Sequence, residues 1–315
     1  MSTSPLSATS SGPRSSGPAA RAALIKLLTA YEDSAALGAW LEARAGEVCA
    51  EGAQERRQEL LQEQLLTLPR AVGRRHLVRP FAERGAARVE GVWGALPVGD
   101  WRADEAARVW LISAALGEGE GSYSRLFTLY DAGDTEAKVA CVRALNFCEG
   151  DPADGLTLIH DAGRTYLPSL MSAAWRHSPF SAQHLSAEEF RKAVLKSLFC
   201  DVPVDDFIGL ERRADEELSR SLCEYANERE AAGRLVPNAV WTVAARFPLP
   251  GLVARLIGRL EHPAELERLT AARALTAARD PRAETFLRER LERERAPGVR
   301  EALASALEAL QSAGV

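Results

Sequence analysis

The stretch "EHPAELERLTAARALTAARDPRAETFLRERLERERAPGVREALASALEAL", residues 261–310, decides the fold class. Pro263, Pro281 and Pro297 stand where three successive helices are expected to begin. At the first turn of a helix a missing backbone N–H leaves no hydrogen bond unmade. Between the prolines, Leu and Ala recur at three- and four-residue spacing, the period of an amphipathic helix. Residues 263–297 hold one helix pair, close to the unit length of helical-repeat proteins. The small-and-Leu stripe of "VREALASALEAL" is the kind of face that a stacked repeat buries against its neighbour.

Working outward toward the N-terminus, the same period recurs. "AARAALIKLLTAYE", "AALGAWLEARAGEVC" and "QERRQELLQEQLLTL" open the series, and "RADEAARVWLISAAL", "SYSRLFTLYDA", "TEAKVACVRALNFC" and "AEEFRKAVLKSLF" continue it. Pro69, Gly73 and Pro80 interrupt the pattern, and the Gly-rich residues 81–99 read as a long loop or subdomain joint. Strand signals are nearly absent. Short connections make consecutive helices antiparallel neighbours, so the chain reads as all-α, an α-solenoid-like array of helix pairs that is HEAT-like at the C-terminus. The expected division is a disordered tail over 1–18, a helical domain over 19–247 and helical repeats over 248–315.

Composition excludes several functions. The net charge of −5 is the wrong sign for drawing in a phosphodiester backbone, so nucleic acid is not an expected partner, and a HEAT-like alkyl-purine glycosylase is disfavoured with it. Cys49, Cys141, Cys148, Cys200 and Cys223 lie far apart without a CxxC spacing, and read as reduced thiols of a cytoplasmic protein. The N-terminal "MSTSPLSATSSGPRSSGP" lacks the apolar core of a signal peptide. No stretch approaches the roughly 20 apolar residues that span a bilayer, so direct membrane insertion is not expected.

The polar residues that call for explanation lie in "LERRADEELSRSLCEYANEREAAGR", residues 210–234. Read as one helix at about 100° per residue, Leu218, Leu222, Tyr225, Ala214 and Ala232 share a face with Glu211, Asp215 and Arg229. A buried arginine must be paired, and Asp215 and Arg229 are too far apart along one helix to pair with each other. Each is therefore expected to find a partner on another element, or to line a groove for an anionic or hydroxylated ligand. Arg212, Arg213, Asp215, Tyr225, Glu228 and Arg229, with His177 upstream, are the candidate ligand-binding residues.

Residues 190–241, "FRKAVLKSLFCDVPVDDFIGLERRADEELSRSLCEYANEREAAGRLVPNAVW", resemble the signature block of the EboA domain family. "LLTLPRAVGRRHL", "DWRADEAARVWLI", "LFTLYDAGDTEAKVACVRALNFC" and "WRHSPFSAQHLS" resemble further blocks in the same order, so that the likeness covers roughly residues 60–247. The resemblance implies a cytoplasmic protein encoded with a UbiA-type prenyltransferase, a TIM-barrel protein and other enzymes that make or export secondary metabolites. It does not imply a reaction. Asn227, Glu230, Phe190 and Asp215 depart from the residues common in that family, which argues against a strict catalytic role for these four.

Other chemistry is weakly represented. His177 and His184 frame "RHSPFSAQH" and His160 precedes them, but the spacing matches no metal-ligand pattern. "GEGEG" at 117–121 follows no strand and reads as a helix connector. "PRAVGRRHLVRP" gathers Arg70, Arg74, Arg75, His76 and Arg79 into a basic spot that reads as a local ion-pair network. No catalytic residues, cofactor or metal are expected. The expected function is a non-catalytic helical scaffold or adaptor in a metabolite biosynthesis and export system, partnered by that system's other proteins, the membrane prenyltransferase included. The alternative is a binding or enzymatic domain for an anionic or prenylated small metabolite.

Overall fold

The computed structural model describes residues 16–30, 35–78, 80–116, 119 and 121–313. Most of the tail expected over 1–18, together with Arg79 and part of the "GEGEG" connector, lies outside these. Ser16 is the N-cap of a helix that starts at Gly17, so the last residues of the expected tail are ordered. The chain divides between Ser186 and Ala187 into two compact units. Among the described residues the fold is all-α apart from one hairpin.

The first unit contains α1 (Gly17–Thr29), α2 (Ala35–Ala50), α3 (Gln54–Val72), α4 (Phe81–Arg84), β1 (Arg88–Gly91), β2 (Gly94–Pro97), α5 (Ala103–Leu116), α6 (Ser122–Ala132), α7 (Thr135–Ala144), α8 (Pro152–Arg164), α9 (Pro168–Met171) and α10 (Pro179–His184). Its centre is α5, whose Ala106, Ala107, Val109, Leu111 and Ile112 have no exposed surface. A helix apolar on all sides must be enclosed, and α5 packs against α1, α2, α3, α6 and α7.

Two local expectations are corrected here. Helix α3 runs through Pro69 to Val72, because α3 packs against α5 and tertiary contact outweighs the one hydrogen bond that proline removes. Residues 81–99 are not an irregular loop. They hold α4 and the antiparallel β1–β2 hairpin, in register Val89 with Leu96 and Gly91 with Gly94. Val89, Leu96 and Val98 turn into the core. Val92 N–H donates to the Asn146 carbonyl oxygen at 2.8 Å. A Cβ on Gly91 would come within 2.5 Å of that same oxygen, which explains the glycine. At the turn, the Trp93 indole donates to the Tyr123 hydroxyl (2.9 Å), which in turn donates to the Cys148 carbonyl (2.9 Å). Burial pushes the Tyr123 phenol well above its usual pKa, and it acts here as a structural hydrogen-bonding post.

The second unit contains α11 (Ala187–Phe199), α12 (Leu210–Arg213), α13 (Glu216–Ala231), α14 (Asn238–Ala244), α15 (Leu252–Arg259), α16 (Glu265–Ala278), α17 (Glu284–Arg293) and α18 (Pro297–Ala313). Pro297 opens α18, Pro281 opens the 3-10 turn that leads into α17, and Pro263 lies two residues before α16. Helix α16 packs against α14, α15 and α18, so the boundary expected at 247/248 falls inside one shared core. Trp241 on α14 is fully buried, and the guanidiniums of Arg255 and Arg259 lie over its ring at 4.5 and 4.4 Å. Glu230 on α13 pairs with both arginines.

Glu294 joins the last three helices. Its buried carboxylate accepts from Arg268 Nε at 2.8 Å, from Arg290 Nη2 at 2.7 Å, and from the backbone N–H groups of Arg295 and Ala296, each at 3.0 Å. The Arg268 guanidinium, helped by Arg290 and the backbone donors, holds its pKa far below the ordinary carboxylate range. A depressed carboxylate pKa contributes stability that is present above the unfolded value, about 4.3, and is lost as pH falls through the folded value. Glu294→Gln is therefore expected to destabilise the protein by about 3 kcal/mol at neutral pH. In melts from pH 7 to pH 3 the gap to the wild type should hold down to about pH 4.5 and narrow below it. A gap that is independent of pH would remove the carboxylate's charge from this account.

Candidate functional site

Residues 210–234 do not form one helix. Helix α12 ends at Arg213, Ala214 and Asp215 are extended, and α13 starts afresh at Glu216. Asp215 is the N-cap: its carboxylate accepts from Leu218 N–H at 2.9 Å and pairs with Arg191 of α11 at 2.6 Å. A side-chain oxygen at this position satisfies one of the orphan donors of a helix start. Asp215 thus sits at the end of the helix, off the buried face on which one continuous helix would have placed it.

Arg229 also differs from expectation. It is half-buried, donating through Nε to the Leu235 carbonyl just past its own helix and through Nη1 to the Tyr225 hydroxyl at 3.1 Å. Its guanidinium lies 5.5 Å from the Tyr225 ring centre, and Tyr225 meets Phe199 edge-on. Neither a carboxylate nor another helix's end holds it in these contacts. Arg213 lies over the Phe190 ring at 4.3 Å, and burial, with Arg212 beside it, holds its pKa below the ordinary arginine value.

Arg212 is exposed and lines an open hollow of about 370 Å³ with Asp205, Asp206, Glu211 and Arg246. Glu228 is exposed, and His177 belongs to the first unit. Of the seven candidates, the structure brings Tyr225 to Arg229, while Asp215 pairs with Arg191, which is not one of them. Arg212 and Arg213 are neighbours whose charges oppose each other, Arg213 turned over the Phe190 ring and Arg212 exposed at the hollow. Among the described residues, no group of three or more His, Cys, Asp and Glu side chains could hold a metal ion.

A denser polar arrangement lies in the first unit, at the start of α5. Asp104 has no exposed surface, and Arg102 reaches it at two points, Nε to Oδ1 at 2.9 Å and Nη2 to Oδ2 at 3.2 Å. Arg74 and Arg108 each come within 4.0 Å of Oδ2. Glu136, on the first turn of α7, accepts from Arg102, Arg108 and Arg74. Asp104 raises the Arg102 pKa above its ordinary value. Residues 75–77 run alongside 101–103, with Leu77 N–H on Trp101 O and Ala103 N–H on Arg75 O, both at 2.8 Å. That pairing delivers Arg74 of the basic spot to the carboxylates.

Beside this network opens a cavity of about 210 Å³, lined by Arg102, Glu105, Thr135, Glu136, Arg143 and Ser169, with Val139 and Ala140 as its apolar wall. Glu105 accepts from Arg102 N–H at 2.9 Å, the return half of a capping box, and lies 3.4 Å from Arg143. Arg143 stacks over Trp101 at 4.6 Å. The sequence expectations centred on residues 210–234 do not include this cavity. Its signal was an acid three residues after Arg102 in "RADE", together with "TEAKVACVR", which places Glu136 and Arg143 two turns apart on one helix face.

A family model described as metabolite traffic protein EboA matches residues 22–245. The chain belongs to the EboA family. The EboA match begins well upstream of residue 60, takes in α5, α7 and residues 210–234, and ends one residue after α14. The family's description is one of metabolite traffic. No curated protein and no solved structure matches the chain. No described helix is long and apolar enough to cross a membrane.

The geometries of Asp215 and Arg229 rank the variants in residues 210–234. Asp215→Ala removes a helix cap and the Arg191 pair, and should cost about 1–2 kcal/mol. Arg229→Ala removes a half-exposed cation–ring contact and a carbonyl contact, and should cost about 0.5–1 kcal/mol. Denaturant titration of both variants checks the order. A loss of several kcal/mol at Arg229 would contradict its half-exposed placement.

Proposed function

We propose that this EboA-family chain works as a non-catalytic helical adaptor in a metabolite biosynthesis and export system. In this reading its helix pairs form an α-solenoid that becomes HEAT-like at the C-terminus. It works in the cytoplasm, and its partners are the other proteins of that system, a UbiA-type membrane prenyltransferase among them. The supporting observation is how the charged residues of the stretch 210–234 are engaged. Asp215 caps α13 and holds Arg191, Arg229 ties Tyr225 to the Leu235 carbonyl, and Arg213 covers Phe190. These are contacts that shape and stiffen a surface. Leu235, beside them, is 84 % exposed and leaves an apolar side chain on that surface.

A second reading, binding of a small metabolite, draws on the cavity at Arg143 and not on residues 210–234.

Affinity capture of the full chain from its native cell, with co-purified proteins and metabolites identified by mass spectrometry, tests the adaptor. Enzymes of one metabolite system are expected to co-purify, and Leu235→Glu is expected to lose at least one of them with an unchanged melting temperature. Recovery of the chain without protein partners, or turnover of a metabolite by the purified chain alone, would contradict the adaptor reading.

A further inference from the structure

We propose that the cavity framed by α5, α7 and α9 binds a small organic monocarboxylate through Arg143. This deepens the small-metabolite reading, rests on it, and is independent of the adaptor.

The first ground is unmet hydrogen-bonding capacity. A guanidinium carries five N–H donors in a rigid fork, and a buried one needs them engaged. Arg102 grips Asp104 at two points and adds Glu136, and Arg108 holds Glu136. Among the described residues, Arg143 has a face on Trp101 and, through its buried Nη1, an ion pair to Glu105 at 3.4 Å that is not aligned as a hydrogen bond. Glu105 is itself shared, since it also accepts from Arg102 N–H. Consistent with this geometry, burial holds the Arg143 pKa below its ordinary value, whereas that of Arg102 is raised. Arg143 is the cation of this network whose charge is least compensated.

The second ground is the charge of the surroundings. The guanidiniums of Arg74, Arg102, Arg108 and Arg143 face the three carboxylates of Asp104, Glu105 and Glu136. One negative charge brings the cluster to neutrality. A dianion such as phosphate would set its second charge against Glu105 and Glu136, which stand in the same wall.

The third ground is shape and lining. The cavity, about 210 Å³, is smaller than the roughly 300–1,000 Å³ of drug-sized sites and suits a compact acid. The hydroxyls of Thr135 and Ser169 line its exposed side, where they can donate to a carboxylate, and Val139 and Ala140 supply an apolar wall for the body of the acid. A planar carboxylate matches the fork of an arginine at two points, which selects it over neutral ligands of the same outline.

The test titrates the full chain at low salt with benzoate, with benzamide as its neutral counterpart, and with inorganic phosphate, followed by calorimetry. Benzoate is expected to bind saturably, and benzamide and phosphate about tenfold or more weakly. Arg143→Gln should weaken benzoate about tenfold or more. Ser169→Phe, a substitution at an exposed position that fills the cavity, should abolish benzoate binding with an unchanged melting temperature, and it carries the test should Arg143→Gln fail to fold. If benzamide or phosphate binds as tightly as benzoate and depends on Arg143, the monocarboxylate class is overturned while the small-metabolite reading stands. If no probe saturates, or if neither variant alters binding, both are overturned.

Discussion

A carboxylate with no exposed surface governs the first unit. Asp104 sits on the first turn of α5, the helix around which five others are arranged, and an isolated charge there would cost several kcal/mol. It is tolerated because Arg102 meets it at two points and because Arg74 and Arg108 approach its other side. The position also places negative charge at the positive end of a helix. Those arginines need further acceptors, which draws Glu136, and with it the start of α7, against α5. The cavity beside Arg143 is what remains between α5, α7 and α9 once these pairs are made.

The second unit follows the same rule with a different centre. Trp241 is its only tryptophan and is fully buried, with two arginines of α15 over its ring. Glu230 and Glu267 fix those arginines to α13 and α16. Further along the chain, Glu294 ties α16 and α17 to the start of α18. Arginine–carboxylate pairs that bridge neighbouring helices are thus a recurring fastening in this chain, which is rich in both residue types. Burial favours the thiol form of the two buried cysteines: desolvation pushes the Cys148 thiol up to about 12 and Cys141 higher still.

The helical class was legible because a 3.6-residue period survives wherever one face of a helix is buried, as at Ala271, Ala274 and Leu275 of α16. The hairpin was hidden because strands of four residues, with Gly91 and Gly94 in them, present too little alternation, and tertiary contacts with Asn146 and Tyr123 hold them. The break at Asp215 was legible in principle: an aspartate followed by two glutamates and then a leucine is a helix-start signature. Extending the period across it put Asp215 on a buried face and Arg229 deeper than it lies. The Arg143 cavity depends on residues 102–105, 135–143 and 169 meeting in space, and no single-sequence spacing encodes that meeting.

If buried carboxylates hold these helices together, Asp104 and Arg102 must be energetically coupled, and a double-mutant cycle measures that directly. Asp104→Asn, Arg102→Gln and the double variant would be unfolded in urea and followed through the tryptophan fluorescence of the first unit. The account predicts that the double variant loses less than the sum of the single losses, with a coupling of about 1–3 kcal/mol. Losses that add within about 0.3–0.5 kcal/mol would contradict it.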